Sequence, residues 1–106
     1  MTDLTDREKG FERKFALDEE SRFRATARRN RMLGLWAAGK LGKTGEAAEE
    51  YAKEVIKADF IEAGDEDVFR KIRADFDAAG VDQSDHQIRR EMQELLAAAV
   101  AQVKNG

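Results

Sequence analysis

The side chains here with the most chemical potential are one histidine, an arginine cluster, an acidic triplet and a lysine–threonine pair after glycine. His86 follows Ser84, with Asp82 and Asp85 close by. One imidazole and two carboxylates fall short of a metal-ligand set, so His86 reads as a surface residue. Gly42-Lys43-Thr44 has the ending of a phosphate loop. The four-residue spacing to an earlier glycine fails, however, and no strand precedes it. Asp65-Glu66-Asp67 is anion-rich but lacks the ligand spacing of a calcium hand. Acids at the start of a helix are favoured by its dipole, which accounts for the triplet. Cysteine is absent, and no nucleophile–base pair is apparent, so an enzyme is the least favoured class.

The arginines are more informative. Arg22, Arg24, Arg28, Arg29 and Arg31 stand in a stretch without a single acid, whereas Glu46–Asp85 carries an acidic excess. Such a cluster could hold the phosphates of nucleic acid or of ATP. The cluster lacks an aromatic stacking pattern, and the formal net charge is −3, so nucleic acid is not an expected partner. The cluster reads instead as a solvated or partner-facing helix side, and the charge polarity could steer an approaching protein.

The elements that must position these groups are helices. A chain of 106 residues fits a single domain with one modest core. It has no proline and is dominated by Ala, Glu, Lys, Arg and Leu, the strong helix formers. The N-terminus has no apolar signal region, and no run approaches the roughly 18 apolar residues of a membrane span. A soluble, cytoplasmic protein is expected.

Helices are predicted over about 19–41, 45–63, 66–79 and 85–104. In the first, Phe23, Ala27, Asn30, Gly34, Ala37 and Leu41 form one stripe, with Met32, Leu35 and Trp36 opposite. Its second half is therefore apolar around most of its circumference and should be central, with Trp36 in the core. Thr44 and Asp65 are candidate N-caps, and Ser84-Asp85-His86-Gln87 is a capping box. Gly39, Gly42, Gly45, Gly64 and Gly80 supply the stops. Short connections make sequential helices antiparallel neighbours, so residues 19–106 are predicted to form a four-helix bundle.

Residues 1–18 have a different character. Thr5-Asp6-Arg7-Glu8 matches a capping box, and Phe11 and Phe15 lie four apart on one helical face. Gly10 interrupts this segment at a cost of about 1 kcal/mol relative to Ala. Burying two phenyl rings contributes roughly 3–6 kcal/mol. Fixing a dozen backbones costs on the order of 1–2 kcal/mol each. The segment is thus expected to be a flexible arm when free and helical when bound to a partner.

These residues carry a family likeness. Asp6–Phe15 (DREKGFERKF), Asp18-Glu19-Glu20, and Ala27–Ala38 (ARRNRMLGLWAA) resemble the zeta subunit of alphaproteobacterial ATP synthases. The similarity continues through Leu41–Gly45 (LGKTG) and Gly64–Lys71 (GDEDVFRK), and so covers nearly the whole chain. The resemblance implies a non-catalytic inhibitor of ATP hydrolysis that needs no cofactor. Its arm would enter an interface between the alpha and beta subunits of the catalytic head, beside the central gamma stalk. There it would block rotation in the hydrolytic direction, with the four-helix body anchored outside at the inner membrane's enzyme.

Phe11 and Phe15 are the candidate anchors of such an arm, with Leu4 beside them and Asp6, Arg7, Glu8, Glu12, Arg13 and Lys14 available for charge pairing. Two positions depart from the family pattern. Gly10 stands where a better helix former is expected, and Leu17 where some relatives carry histidine. The resemblance further implies weak ATP or ADP binding by the body, for which Arg28, Arg29 and Arg31 are the candidates. A small helical nucleotide-binding regulator is the alternative reading.

Overall fold

A computed structural model describes residues 19–59 and 65–105; residues 1–18, 60–64 and 106 lie outside it. The described chain forms four helices: α1 Glu19–Lys40, α2 Gly45–Ala58, α3 Glu66–Ala79 and α4 Asp85–Asn105. Each boundary has a local cause. Acids open all four helices (Glu19, Glu46, Glu66 and Asp85), while Lys40, Lys57 and Lys104 close α1, α2 and α4. Both placements complement the helix dipole.

The Ser84 capping box forms as expected. The backbone N–H of Gln87 donates to Ser84 Oγ at 3.1 Å, and that of Ser84 donates to Gln87 Oε1 at 2.8 Å. Gly80 closes α3 with φ of 71°, and Val81 N–H returns to the Phe76 carbonyl at 2.9 Å. This is a Schellman closure, and it needs a residue that tolerates the left-handed region. The same pattern ends α1, where Gly42 has φ of 80° and Lys43 N–H reaches the Ala38 carbonyl at 2.8 Å.

Two expected caps behave differently. Thr44 has the extended backbone of an N-cap, but its hydroxyl makes no capping bond. Asp65 also makes no capping bond: its backbone is helical rather than extended, and its Oδ1 accepts from Arg29 of α1. Helix α2 is described as Gly45–Ala58, where the Asp59 N–H turns back to the Ile56 carbonyl at 3.3 Å; its predicted continuation to about residue 63 lies outside the described residues. The predicted stop at Gly64 falls outside the described residues.

Cross-helix pairs fix the direction of each neighbour. Tyr51 and Glu54 of α2 meet Asp75 and Lys71 of α3 in reversed order. Glu66 meets Arg89 near one end of the α3–α4 pair, and Arg73 meets Asp85 near the other. Arg28 bonds Gln102, placing the first half of α1 beside the end of α4. The α2–α3 and α3–α4 neighbours are antiparallel, as short connections dictate.

Helix α1 packs on both α2 and α4, and α3 completes the bundle by packing on the same two. The core is built from Leu33, Ala37 and Ala38 of α1; Tyr51 and Val55 of α2; Val68, Phe69, Ile72 and Phe76 of α3; and Ile88 and Met92 of α4. Trp36 packs against this cluster, its ring 5.8 Å from that of Phe76 in an edge-on arrangement. Gly34 lets α1 and α2 approach closely: a Cβ built there would lie 2.6 Å from the Ala52 Cα, with no room for it unless the helices separate.

The interior stripe of α1 differs from the expected one at its N-terminal half. Ala25, Arg29, Asn30, Leu33, Gly34, Ala37 and Ala38 are buried. Phe23 is 60% exposed instead of buried, and Ala27 only partly covered. A helix step of 100° sets Arg29 in line with Ala25 and Leu33, four residues away on either side, and so turns it inward.

Candidate partner-binding surface

Helix α1 begins at Glu19, the first described residue, and its arginines go to different places. Arg29 is 1% exposed, the largest fully buried side chain among the described residues. Its Nε donates to Asn30 Oδ1 at 2.7 Å, and its Nη2 to Asp65 Oδ1 at 2.8 Å. A buried guanidinium needs such a counter-charge and such acceptors, since desolvating it alone is very costly. The expected solvated helix side therefore requires one correction: Arg29 belongs to the interior and pins α1 to the start of α3.

Arg28 and Arg31 remain exposed. Arg28 Nη1 donates to Gln102 Oε1 at 3.1 Å, and Arg31 Nη2 reaches both carboxylate oxygens of Glu49 at 2.7 and 2.9 Å. Of the three arginines considered for nucleotide phosphates, Arg28 and Arg31 line one groove, while Arg29 is buried and bonded to Asp65 at the start of α3.

The acidic triplet is matched by arginines, and those of Asp65 and Glu66 stand on other helices, where local sequence cannot display the pairing. Asp65 serves Arg29, Glu66 binds Arg89 through two oxygens at 3.0 and 3.2 Å, and Asp67 pairs with Arg70 at 2.9 Å. Hydrogen bonding from Arg89 holds the Glu66 carboxyl below its ordinary range, and the reciprocal bond raises Arg89. Asp67 Oδ2 is buried with no hydrogen-bond partner among the described residues; its place in the first turn of α3 favours its negative charge. A cleft of about 140 Å³ lies between Arg29, Asp65, Arg89, Met92, Gln93 and Leu96. An anion entering it would have to displace carboxylates already bound to both guanidiniums.

On the other side of the bundle, Tyr51 donates its hydroxyl to Asp75 Oδ2 at 2.7 Å, and Lys71 bridges Glu54 and Asp75 at 3.0 and 3.1 Å. Burial, then the bond to Asp75, pushes the Tyr51 phenol well above its ordinary value. Lys71 is driven down by burial, but its bonds to Glu54 and Asp75 outweigh this and leave it raised. Such a network ties α2 to α3, and every member has a structural partner. His86 is exposed at the start of α4. Among the described residues, no group of three or more His, Cys, Asp or Glu could hold a metal ion.

A different surface emerges around α1. An open groove of about 610 Å³ runs between its first half, Ile56 of α2 and Gln102 of α4. Phe23, Ala27, Met32 and Ile56 give it an apolar floor, and Arg24, Arg28 and Arg31 stand along its rim. The stripe predicted for α1 includes Phe23, which the structure places on this surface; the alternation of arginine with Phe23 is its signal in the sequence. Leu4, Asp6, Arg7, Glu8, Phe11, Glu12, Arg13, Lys14 and Phe15, the expected partner-binding residues, all lie outside the described residues.

Comparison with known proteins completes the picture. No curated protein matches the chain. A solved solution NMR structure is 47% identical in sequence, covers 78% of this chain and 94% of its own, and has a TM-score of 0.70. The family model described as ATPase inhibitor subunit zeta matches residues 1–102, including the segment that precedes α1. With that match over almost its whole length and a four-helix bundle beneath it, the chain belongs to the ATPase inhibitor subunit zeta family.

Proposed function

We propose that this chain inhibits ATP hydrolysis by the catalytic head of a bacterial ATP synthase, using residues 1–18 as the inhibitory arm. The arm enters an interface between alpha and beta subunits beside the gamma stalk and blocks rotation in the hydrolytic direction. The body stays outside the crevice as an anchor and performs no chemistry. Membership of the inhibitor family, through a match that includes the arm, carries this reading. No described helix is long and apolar enough to cross a membrane.

The physical division of the chain supports the same reading. The described core draws its buried apolar residues from Ala25 to Ala99, all within α1–α4. An arm with two phenyl rings and abundant charge gains order by docking, where a partner's crevice supplies the apolar surroundings. Ordering a segment on binding costs about 2–5 kcal/mol, which leaves affinity to be set by a few anchors.

Phe11→Ala in the full chain tests the assignment. Its half-inhibitory concentration against the purified head should rise by the equivalent of about 1–3 kcal/mol, roughly 5- to 150-fold. Inhibition by Phe11→Ala at the wild-type concentration would remove Phe11 as an anchor. Failure of the wild-type chain to inhibit at all would sink the function itself.

A further inference from the structure

The groove beside α1 is lined by side chains of three helices, and its composition is that of a recognition surface. Phe23 is a large aromatic side chain 60% exposed on the protein surface. Arg24, Arg28 and Arg31 flank it along the same groove. Aromatic residues and arginine are the types enriched where binding energy concentrates in interfaces. We infer that this groove seats an acidic, amphipathic segment on the outer face of the ATP synthase catalytic head, holding the body in place while the arm is inserted. The inference rests on the function proposed above and adds to it a second point of attachment.

Charge supports an acidic occupant. The rim arginines come from a stretch, residues 21–45, that contains no Asp or Glu, in a chain that is acidic overall. Arg28 is bonded to a neutral amide, Gln102, so that contact leaves its charge uncompensated. Arg24 pairs with Glu20 and Arg31 with Glu49, in both cases between side chains about half or more exposed. Such surface pairs are worth about 0–1 kcal/mol, so a carboxylate presented by a partner can take over either arginine at little cost. Apolar side chains of the same segment would cover Phe23, Met32 and Ile56.

Position supports the head as its source. Helix α1 begins at Glu19, directly after the arm, and Phe23 stands four residues further on. At 1.5 Å per residue that is about 6 Å along the axis. An arm lodged in a crevice of the head therefore brings this groove to the crevice rim. Two linked contacts strengthen each other because the second forms within the complex already made by the first. The arm then determines whether rotation stops, and the groove determines how little inhibitor is needed.

The test uses the full chain carrying Phe23→Ala with Arg28→Glu, titrated against the purified catalytic head at low and high salt, with helical content and melting measured alongside. Both side chains are exposed, so the bundle should persist; Arg28→Ala alone is the second variant if the pair melts early. The half-inhibitory concentration should rise about tenfold or more, with complete inhibition still reached at saturation and a weaker dependence on salt. Wild-type potency and salt dependence in the variants would overturn the inference. Greater potency would also overturn it, by showing that the groove holds the chain's own arm. Concentration-dependent dimers of the wild type that the variants abolish would assign the groove to a second copy instead. A wild-type chain that does not inhibit defeats the functional reading and this inference together, whereas a failure confined to the groove variants leaves that reading standing.

Discussion

Deleting residues 1–18 is expected to abolish inhibition of ATP hydrolysis while leaving the bundle folded. The described core lies wholly within α1–α4, with its buried apolar residues between Ala25 and Ala99. Truncation should therefore shift the melting temperature by less than about 5 °C, the equivalent of about 1 kcal/mol for a domain of this size. The half-inhibitory concentration should rise more than about a hundredfold, because the anchors Phe11 and Phe15 depart with the arm. A hydrolysis assay together with a circular dichroism melt separates the two effects. Truncated protein that inhibits like the full chain would refute the arm mechanism, and one that unfolds would show that the arm belongs to the core.

Asp65→Ala is expected to have the largest effect on stability of any single change at a surface acid. It strips the counter-charge from Arg29, a guanidinium 1% exposed, which otherwise keeps only its bond to Asn30. Breaking a buried pair by removing one member costs about 3–5 kcal/mol. Here the lower end applies, since the Asp65 side chain is 53% exposed and water can enter the space it leaves. A loss of about 3 kcal/mol corresponds to a drop in melting temperature of roughly 10–20 °C. Arg29→Met combined with Asp65→Ala should recover a large part of that loss, because methionine fills the space without a charge to desolvate. Asp65→Ala that unfolds within about 0.5 kcal/mol of the wild type would show that the pair contributes nothing to the bundle.

The contrast between Arg29 and Ser84 shows how much of this molecule its sequence disclosed. The capping box at Ser84 and the glycine closure at Gly80 depend on residues within a turn of each other, so local reading found them. Asp65 looked like a cap by the same reasoning. Its true partner stands 36 residues earlier in the chain, on another helix, and only the packed bundle brings the two together. Periodicity failed in the first half of α1 for a related reason. Hydrophobicity draws Phe23 inward and Arg29 outward, yet the helix phase set by Leu33, Gly34 and Ala37 fixes the opposite.

The candidate site was legible in part. The two-part character of the chain and the arginine cluster follow from composition and spacing. The groove did not, since its floor joins Phe23 of α1 to Ile56 of α2 and its end is closed by Gln102 of α4. Likewise Gly34 read as one more small residue on a stripe, although its lack of a Cβ is what lets α1 meet Ala52 so closely. Contacts between elements carry this information, and no window along the chain contains it.

The account depends on an arm that acquires order from its partner. Hydrogen exchange of the arm amides, measured in the full chain alone and again in complex with the catalytic head, tests that most directly. Residues 5–18 should exchange at nearly unprotected rates in the free protein, while the amides of α1–α4 are protected; in the inhibited complex the arm should become protected as well. Arm amides as slow as those of α1 before any partner is added, or still unprotected once hydrolysis has stopped, would contradict it.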